Sequence, residues 1–321
     1  MKRFRLTRMA ALPAFVLAAT TVVTTFPAAA EFPDKPINMW IGFRPGGAVD
    51  TTGRLIADRL SKILGQPVVG VTKAGGGGTA MATQLVKAEA DGYTIGMGAS
   101  AAYTLTPQLN NKLTYKIDDF QHLATLTYPS DAIVVQAASK WKTLDDMLKD
   151  SKASGKAISF ATQVAASRLM CMALTAKSGA EFKFVPVRGG ADGIQQVLGG
   201  HVDATWSGSG WTEQVRAGKM RPLATMSAER MKDYPNIPTL IELGYNFTFT
   251  DTFMLSAPKG VPADRVKILA DAIKKAIMDP EVQKALHDKI KLNTKYRDPA
   301  ETLAFLKKQA ADVAPLVAKL K

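Results

Sequence analysis

One pattern occurs twice near the start of this chain: an apolar run, a glycine-rich turn, then an amphipathic helix. The first copy runs from Ile37 to Phe43, through Arg44-Pro45-Gly46-Gly47, into a helical stretch from Ala48 to Leu64. The second runs from Val68 to Val71, through Ala74-Gly75-Gly76-Gly77-Gly78, into a helical stretch from Thr79 to Ala88. Glycine lets the backbone turn sharply and lets a ligand come close to it. The helix behind each turn directs unpaired N–H groups and a positive dipole end at the same spot. Two such turns on neighbouring parallel strands form a pincer for an anion. The grip comes from the backbone, which points to binding and away from catalysis.

Strand and helix signals then alternate almost to the end of the chain. Extended runs are expected at Tyr93 to Met97, Leu123 to Leu126, Ala132 to Gln136, Ala157 to Ala161, Phe182 to Val187, Val202 to Trp206, Pro222 to Met226 and Phe249 to Ser256. Helices are expected at Leu144 to Lys149, Ser167 to Lys177, Ala191 to Leu198, Trp211 to Ala217, Ala263 to Met278, Pro280 to Leu286 and Ala300 to Leu316. In the helix from Ala263, residues Val266, Leu269, Ala270, Ile273 and Ile277 recur at three- and four-residue spacing. Alternation of this kind predicts an α/β fold of mostly parallel sheets flanked by helices. Tyr128-Pro129-Ser130-Asp131 interrupts two apolar runs, and a second break falls near 245–251. A chain that crosses out at the first and back at the second has a discontinuous domain 1 (31–130 and 251–321) and a domain 2 (131–250). The cleft between two such domains suits a binder that closes by a hinge.

Domain 2 repeats the loop-to-helix device. Its strands lead into Thr162-Gln163-Val164-Ala165-Ala166-Ser167, Arg188-Gly189-Gly190-Ala191-Asp192-Gly193 and Ser207-Gly208-Ser209-Gly210. Ligands of open α/β sheets sit outside the carboxyl ends of the strands, so these loops are expected to face the pincer. Arg44, Arg168 and Arg188 are candidates for pairing with a carboxylate, because a guanidinium bonds both its oxygens; the alternative for each is a structural ion pair. Asp50 and Arg54 are four apart on the first helix. They form an ordinary i,i+4 pair, or Asp50 fixes the glycine turn or accepts from a ligand amine. Trp206 and Trp211 either stack on an aromatic ligand or fill the core.

Residues 1–30 read as a secretory leader. Lys2, Arg3, Arg5 and Arg8 form a basic start, Met9 to Phe26 is mostly small and apolar, and Ala28-Ala29-Ala30 supplies a cleavage site before Glu31. No cysteine sits at that point, so a lipid anchor there is excluded. No other stretch approaches about 18 continuous apolar residues, so a soluble mature protein is expected in the periplasm. Removal of the leader lowers the formal charge from +13 but leaves a basic surplus, which favours anionic partners. No basic run is interleaved with aromatics, so nucleic acid is not an expected partner. The lone Cys171 lies in an apolar helical run and reads as a buried small hydrophobe.

Several stretches, in order, carry a resemblance to a known family. They are Phe32-Pro33-Asp34-Lys35-Pro36-Ile37, Phe43 to Asp50 with Arg54, Gly75 to Thr79, and Asp91-Gly92-Tyr93-Thr94. Thr106-Pro107-Gln108-Leu109, Tyr115 to Phe120, Val185 to Gly190, Leu198 to Asp203, Ala217-Gly218-Lys219 and Ala257 to Pro262 continue the series. The chain resembles the periplasmic solute-binding proteins of tripartite tricarboxylate transporters, the Bug or TctC-like family. The resemblance implies a two-domain, type II-like periplasmic binding protein that closes on a small carboxylate and delivers it to a membrane permease with a large and a small integral subunit. It implies a monomer with no cofactor and no metal. The candidate ligand set is Phe43, Arg44, Pro45, Gly46, Gly47 and Asp50 in the first turn, and Ala74, Gly75, Gly76, Gly77, Gly78 and Thr79 in the second. Ser100, Thr162, Gln163, Ser167, Arg168, Arg188, Gly189, Ser207 and Asp251 complete it. The sequence departs from the family where a Gly-Ser-rich turn with a histidine is usual, at Thr162 to Ser167. It departs again at Val187, where the family has an aromatic, and at Ser207 to Gly210. Those changes bear on which carboxylate is bound, not on the pincer.

Enzymatic alternatives find no support. Ser207-Gly208-Ser209-Gly210 lacks the glycine two before the serine of a nucleophile elbow. His122, His201 and His287 are scattered, without metal-ligand spacing. No Walker lysine follows Gly75 to Gly78, and no dinucleotide fingerprint fits there. The alternatives left are a binder that hands its loaded state to a membrane sensor kinase, which would have the same cleft, and a solute-binding protein of another transporter class.

Overall fold

The computed structural model of the chain describes Met1 and residues 31–162, 164–187 and 190–319. The expected leader beyond Met1, and with it Gln163, Arg188 and Gly189, lies outside the described residues.

The opening repeat folds as its pattern demands. Strand β1 (Ile37–Ile41) buries Ile37, Met39 and Ile41 and turns Asn38 outward. Helix α1 (Ala48–Leu64) buries Val49, Ile56, Ala57 and Leu60 on one face, and Gly65 ends it in the left-handed region at φ 68°. Strand β2 (Val68–Thr72) pairs parallel with β1, and after the second turn comes helix α2 (Thr79–Leu85). Strand β3 (Thr94–Ala99) pairs parallel with β1 on its other side. Two single-turn helices follow, α3 (Ala101–Thr104) and α4 (Thr106–Leu109). Strand β4 (Phe120–Pro129) then carries the chain to the second sheet.

That sheet starts with β5 (Ala132–Gln136) and continues through α5 (Leu144–Ser154), β6 (Ile158–Thr162), α6 (Ala165–Ser178), β7 (Phe182–Pro186), α7 (Gly190–Leu198), β8 (Ala204–Ser207), α8 (Trp211–Arg216) and β9 (Met220–Ala224). The chain returns through β10 (Phe253–Pro258) and closes with α9 (Ala263–Met278), α10 (Pro280–Ile290), β11 (Leu292–Arg297) and α11 (Pro299–Ala318).

The first sheet has the order β11-β4-β10-β3-β1-β2 and the second β7-β6-β8-β5-β9. Both are mixed, where mostly parallel sheets were expected. The cause is the crossing itself. Strands β1, β3 and β4 run toward the neighbouring lobe, and β10, arriving from that lobe, runs against β3 and β4. In the second sheet β5 arrives and runs against β8 and β9. Strand β11 was not expected at all. It is an edge strand in which only Leu292 is fully buried, so no hydrophobic alternation marks it.

One core lies between the first sheet and α1, α9 and α10, around Ile56, Leu60, Met97, Leu269 and Ile273. The opposite face packs Met81, Leu85, Tyr103 and Phe120 beneath Leu306 of α11. The second sheet is covered by Leu169, Met170 and Cys171 of α6 on one face and by Ile194, Val197 and Trp211 on the other. Val313 and Val317, at the far end of α11, join Leu105 in this second-sheet core, so the last helix spans both lobes. Among the described residues no helix is long and apolar enough to cross a membrane.

Candidate functional site

The carboxyl ends of β1, β2, β6 and β8 open onto one cleft of about 1040 Å³. Its first wall is the repeated motif. Phe43, Arg44, Pro45, Gly46 and Gly47 line it from the first turn, and Ala74, Gly75, Gly76 and Gly77 from the second. The two turns touch: a Cβ on Gly42 would lie 3.1 Å from Gly78 Cα, and the Phe43 ring packs on Gly78. The amides of Gly75, Gly76 and Gly77 donate to no acceptor among the described residues, nor do those of Ala48 and Val49 in the first turn of α1. Five unspent N–H groups on one cleft wall make an anion site. Gly76 needs to be glycine twice over, since its φ is +56° and a Cβ there would overlap the Thr79 hydroxyl.

Supporting residues lie behind this wall. Asp50 is 3% exposed; its Oδ2 accepts from Gly46 N–H at 3.0 Å and its Oδ1 from Arg54 Nε at 3.0 Å. Burial pushes the Asp50 carboxyl up, but the hydrogen bonds of Arg54 and Gly46 and the guanidinium charge outweigh it and hold the group below its ordinary value. Thr79 is buried, its hydroxyl donating to Gly76 O at 3.0 Å, and Gly78 is buried beneath the Phe43 ring. Asp50, Thr79 and Gly78 therefore shape the turns from behind and do not line the cleft. Ser100 is likewise buried and donates to Asp251 Oδ1 at 3.3 Å. Asp251 does line the cleft. Burial pushes its carboxyl up to about 6.

The second wall comes from the other lobe. Val164, Ala191, Ile194, Gln195 and Trp206 line it, with Ser207 to Gly210, Thr212, Glu213 and Gln214 along one side. Of the residues expected in this lobe, Ser207 reaches the cleft. Thr162 and Ser167 are buried, and Ser167 donates to Val164 O at 2.8 Å. Arg168 is exposed; it donates to Thr162 Oγ1 at 3.3 Å and lies over the Phe184 ring, away from the cleft lining. The two tryptophans divide their expected roles. Trp211 is core, donating to Ser130 O at 2.8 Å and packed on Tyr234. Trp206 lines the cleft, and its indole N–H has no acceptor among the described residues.

Sequence reasoning missed Pro129 and Phe253, which flank the two crossings, and Lys289 to Leu292 at the end of α10. Lys291 takes the left-handed conformation at φ 53°, turning the chain into β11. Recognising β11 as a strand would have brought these residues to the cleft mouth. The described lining contains no histidine and no cysteine. His122 is buried between Ser256 and Ile117 O, and burial pushes it down to about 4, so it stays neutral.

Residues 52–321 match the family model described as the tripartite tricarboxylate transporter family receptor. A protein of Cupriavidus necator named for the gbd 5′ region is 34% identical over 259 residues, covering 80% of this chain and 79% of its own. Protein BugT of Bordetella pertussis is 30% identical over 278 residues, covering 84% and 85%. Among solved structures, a TctC solute-binding protein from Polaromonas superimposes with a TM-score of 0.75 at 26% identity, over 90% of this chain and 99% of that one.

Proposed function

Because the chain belongs to the tripartite tricarboxylate transporter receptor family, a family of solute-binding receptors, we propose that it captures a small carboxylate in the cleft between its lobes and delivers it to a tripartite permease. The observation that carries this reading is the set of unspent amides of Gly75, Gly76, Gly77, Ala48 and Val49 on one wall of that cleft. A carboxylate supplies the acceptors those groups lack, and charge-assisted bonds to backbone N–H are the strong kind.

In this reading residues 1–30 direct export and are removed, the mature protein works as a monomer in the periplasm, and the lobes divide at 130/131 and 250/251. The empty protein favours the open state. The ligand touches both walls only when the lobes close, and that difference in contact shifts the population. The partners would be the large and small integral subunits of the permease.

The test is a thermal-shift screen of the mature protein, unfolded and refolded to strip any bound ligand, against mono-, di- and tricarboxylates and aromatic acids. A ligand at a hundred times its dissociation constant adds about 2.7 kcal/mol, which raises Tm by several degrees in a chain of this size. The absence of any shift across the carboxylates would overturn the proposal.

A further inference from the structure

Asp251 sits where the chain re-enters the first lobe, two residues before β10, and its side chain is half-buried at the cleft. Its Oδ1 is spent, accepting from Ala101 N–H at 3.0 Å and from the Ser100 hydroxyl at 3.3 Å. Ser100 is itself held, its Oγ accepting from Thr252 N–H at 3.1 Å. The carboxylate is thus held through one oxygen by two donors, the partly buried Ala101 and the buried Ser100. Its Oδ2 accepts no hydrogen bond and forms no ion pair among the described residues. A rigidly oriented carboxylate with one unoccupied oxygen in a ligand cleft is an acceptor looking for a donor.

The surroundings narrow what that donor belongs to. The cleft's anion end lies at the turns after β1 and β2. Strand β3 lies beside β1, and β10 lies beside β3. Neighbouring strands are about 4.8 Å apart, so Asp251, two strands from β1 and three from β2, lies roughly 10–14 Å along the cleft from the anion end. A second carboxylate placed there would meet the like charge of Asp251. Among the described residues the facing wall offers no lysine or arginine to offset it, and its one charged side chain is Glu213; the basic residues of the lining, Arg44, Lys289 and Lys291, belong to the first turn and the end of α10. Val164, Ala191, Ile194 and Phe253 make much of the remaining lining apolar.

We infer that Asp251 is the specificity residue of this cleft: the ligand is a carboxylate that carries a hydroxyl or ammonium group several ångströms from its carboxylate, and Asp251 Oδ2 accepts a hydrogen bond from that group. The inference rests on the carboxylate-receptor reading above and extends it to the other end of the ligand. A charged acceptor left without its donor is costly, so a site built this way rejects the unsubstituted analogue.

The experiment measures dissociation constants for matched acids. The sets are butyrate, 4-hydroxybutyrate and 4-aminobutyrate; hexanoate, 6-hydroxyhexanoate and 6-aminohexanoate; benzoate and 4-hydroxybenzoate; and succinate and adipate as dicarboxylates. The expected result is that, in at least one set, a donor-bearing acid binds roughly 10- to 100-fold more tightly than its unsubstituted partner and than the dicarboxylates. The hydroxy and amino members separate a hydroxyl ligand from an ammonium ligand. Asp251→Asn keeps the acceptor that Ala101 and Ser100 use and replaces the free oxygen with a donor. In that variant the preference should vanish, and a cooperative thermal unfolding transition certifies the fold. Equal affinities within every set, a preference for dicarboxylates, or a donor preference that survives Asp251→Asn would each overturn the inference. Should Asp251→Asn fail to fold, the wild-type affinities decide alone. If no carboxylate of any kind binds, it is the receptor reading that fails, and this inference with it.

Discussion

Asp50 Oδ2 accepts the Gly46 N–H at 3.0 Å, so the first turn of the cleft is held open by the helix that follows it. The same carboxylate takes Arg54 through its other oxygen. One buried side chain therefore fastens turn to helix, and the amides beside it are left free for a ligand. The two readings open at the sequence level, an i,i+4 ion pair and a clamp on the glycine turn, are both present in one residue.

Replacing Asp50 with alanine should release the turn and free the Arg54 side chain. A loss of about 1–2 kcal/mol in stability is expected from the lost charge-assisted hydrogen bonds, since Arg54 and Gly46 are exposed and can turn to water, together with weaker carboxylate binding. Asp50→Asn keeps an acceptor for Gly46 and should fall between the two. Urea unfolding and calorimetric titration with the best ligand measure both effects. Unchanged affinity in the alanine variant would show that the turn needs no clamp.

Gly76 and Gly65 separate backbone strain from ligand approach. Both have positive φ, 56° and 68°, so alanine at either costs about 1 kcal/mol or more. Gly65 ends α1 with open space around it, remote from the cleft lining, while Gly76 lines the cleft. Gly76→Ala should reduce stability and affinity together. Gly65→Ala should reduce stability alone. Equal affinity losses in the two variants would mean that the effect is global and that the Gly76 amide does not meet ligand.

Much of the fold was legible because its elements carry hydrophobic periodicity. The alternation in β1 and the three- and four-residue spacing in α9 each mark a buried face. What escaped lacks that mark. Strand β11 is an edge with a single fully buried side chain, and the antiparallel directions of β5 and β10 are set by long-range crossing that no local pattern records. The site divided in the same way. The glycine turns announce themselves by composition. Ile194 and Gln195 reach the cleft because of how α7 packs on β8, and Lys291 because of β11. Arg168 looked like a carboxylate partner by residue type, yet Thr162 and Phe184 engage it on the surface.

Trp206 offers a test of the second wall. Its indole N–H is buried without an acceptor among the described residues, a state that costs free energy in the unliganded protein. Trp206→Phe removes the orphaned donor and keeps most of the ring. Stability should change by less than about 1 kcal/mol. Affinity should fall for any ligand that accepts from that N–H on closure. Thermal unfolding and titration side by side check this. A large fall in Tm without a change in affinity would make Trp206 a packing residue only.

Asp131 links the crossing to pH. It follows Ser130 in the two-residue link between β4 and β5, and its Oδ1 accepts from Thr225 Oγ1 at 2.5 Å and Met226 N–H at 3.0 Å. Burial, with a smaller push from the charge of Asp251, raises its carboxyl to about 7 despite those bonds. A carboxyl whose folded value lies above its unfolded value binds more protons when folded. Its contribution to stability is complete below the unfolded value, near 3.8, and is lost as pH rises through about 7. Asp131→Asn keeps the acceptor and removes the charge. The variant and wild type should therefore unfold at the same temperature at about pH 4. The variant should be the more stable by several degrees at pH 8, where the wild type holds a buried carboxylate. Melting curves across that range decide the matter. A variant that is less stable at pH 8 would show that the ionised carboxylate holds the crossing together, and that its bonds to Thr225 and Met226 outweigh its burial.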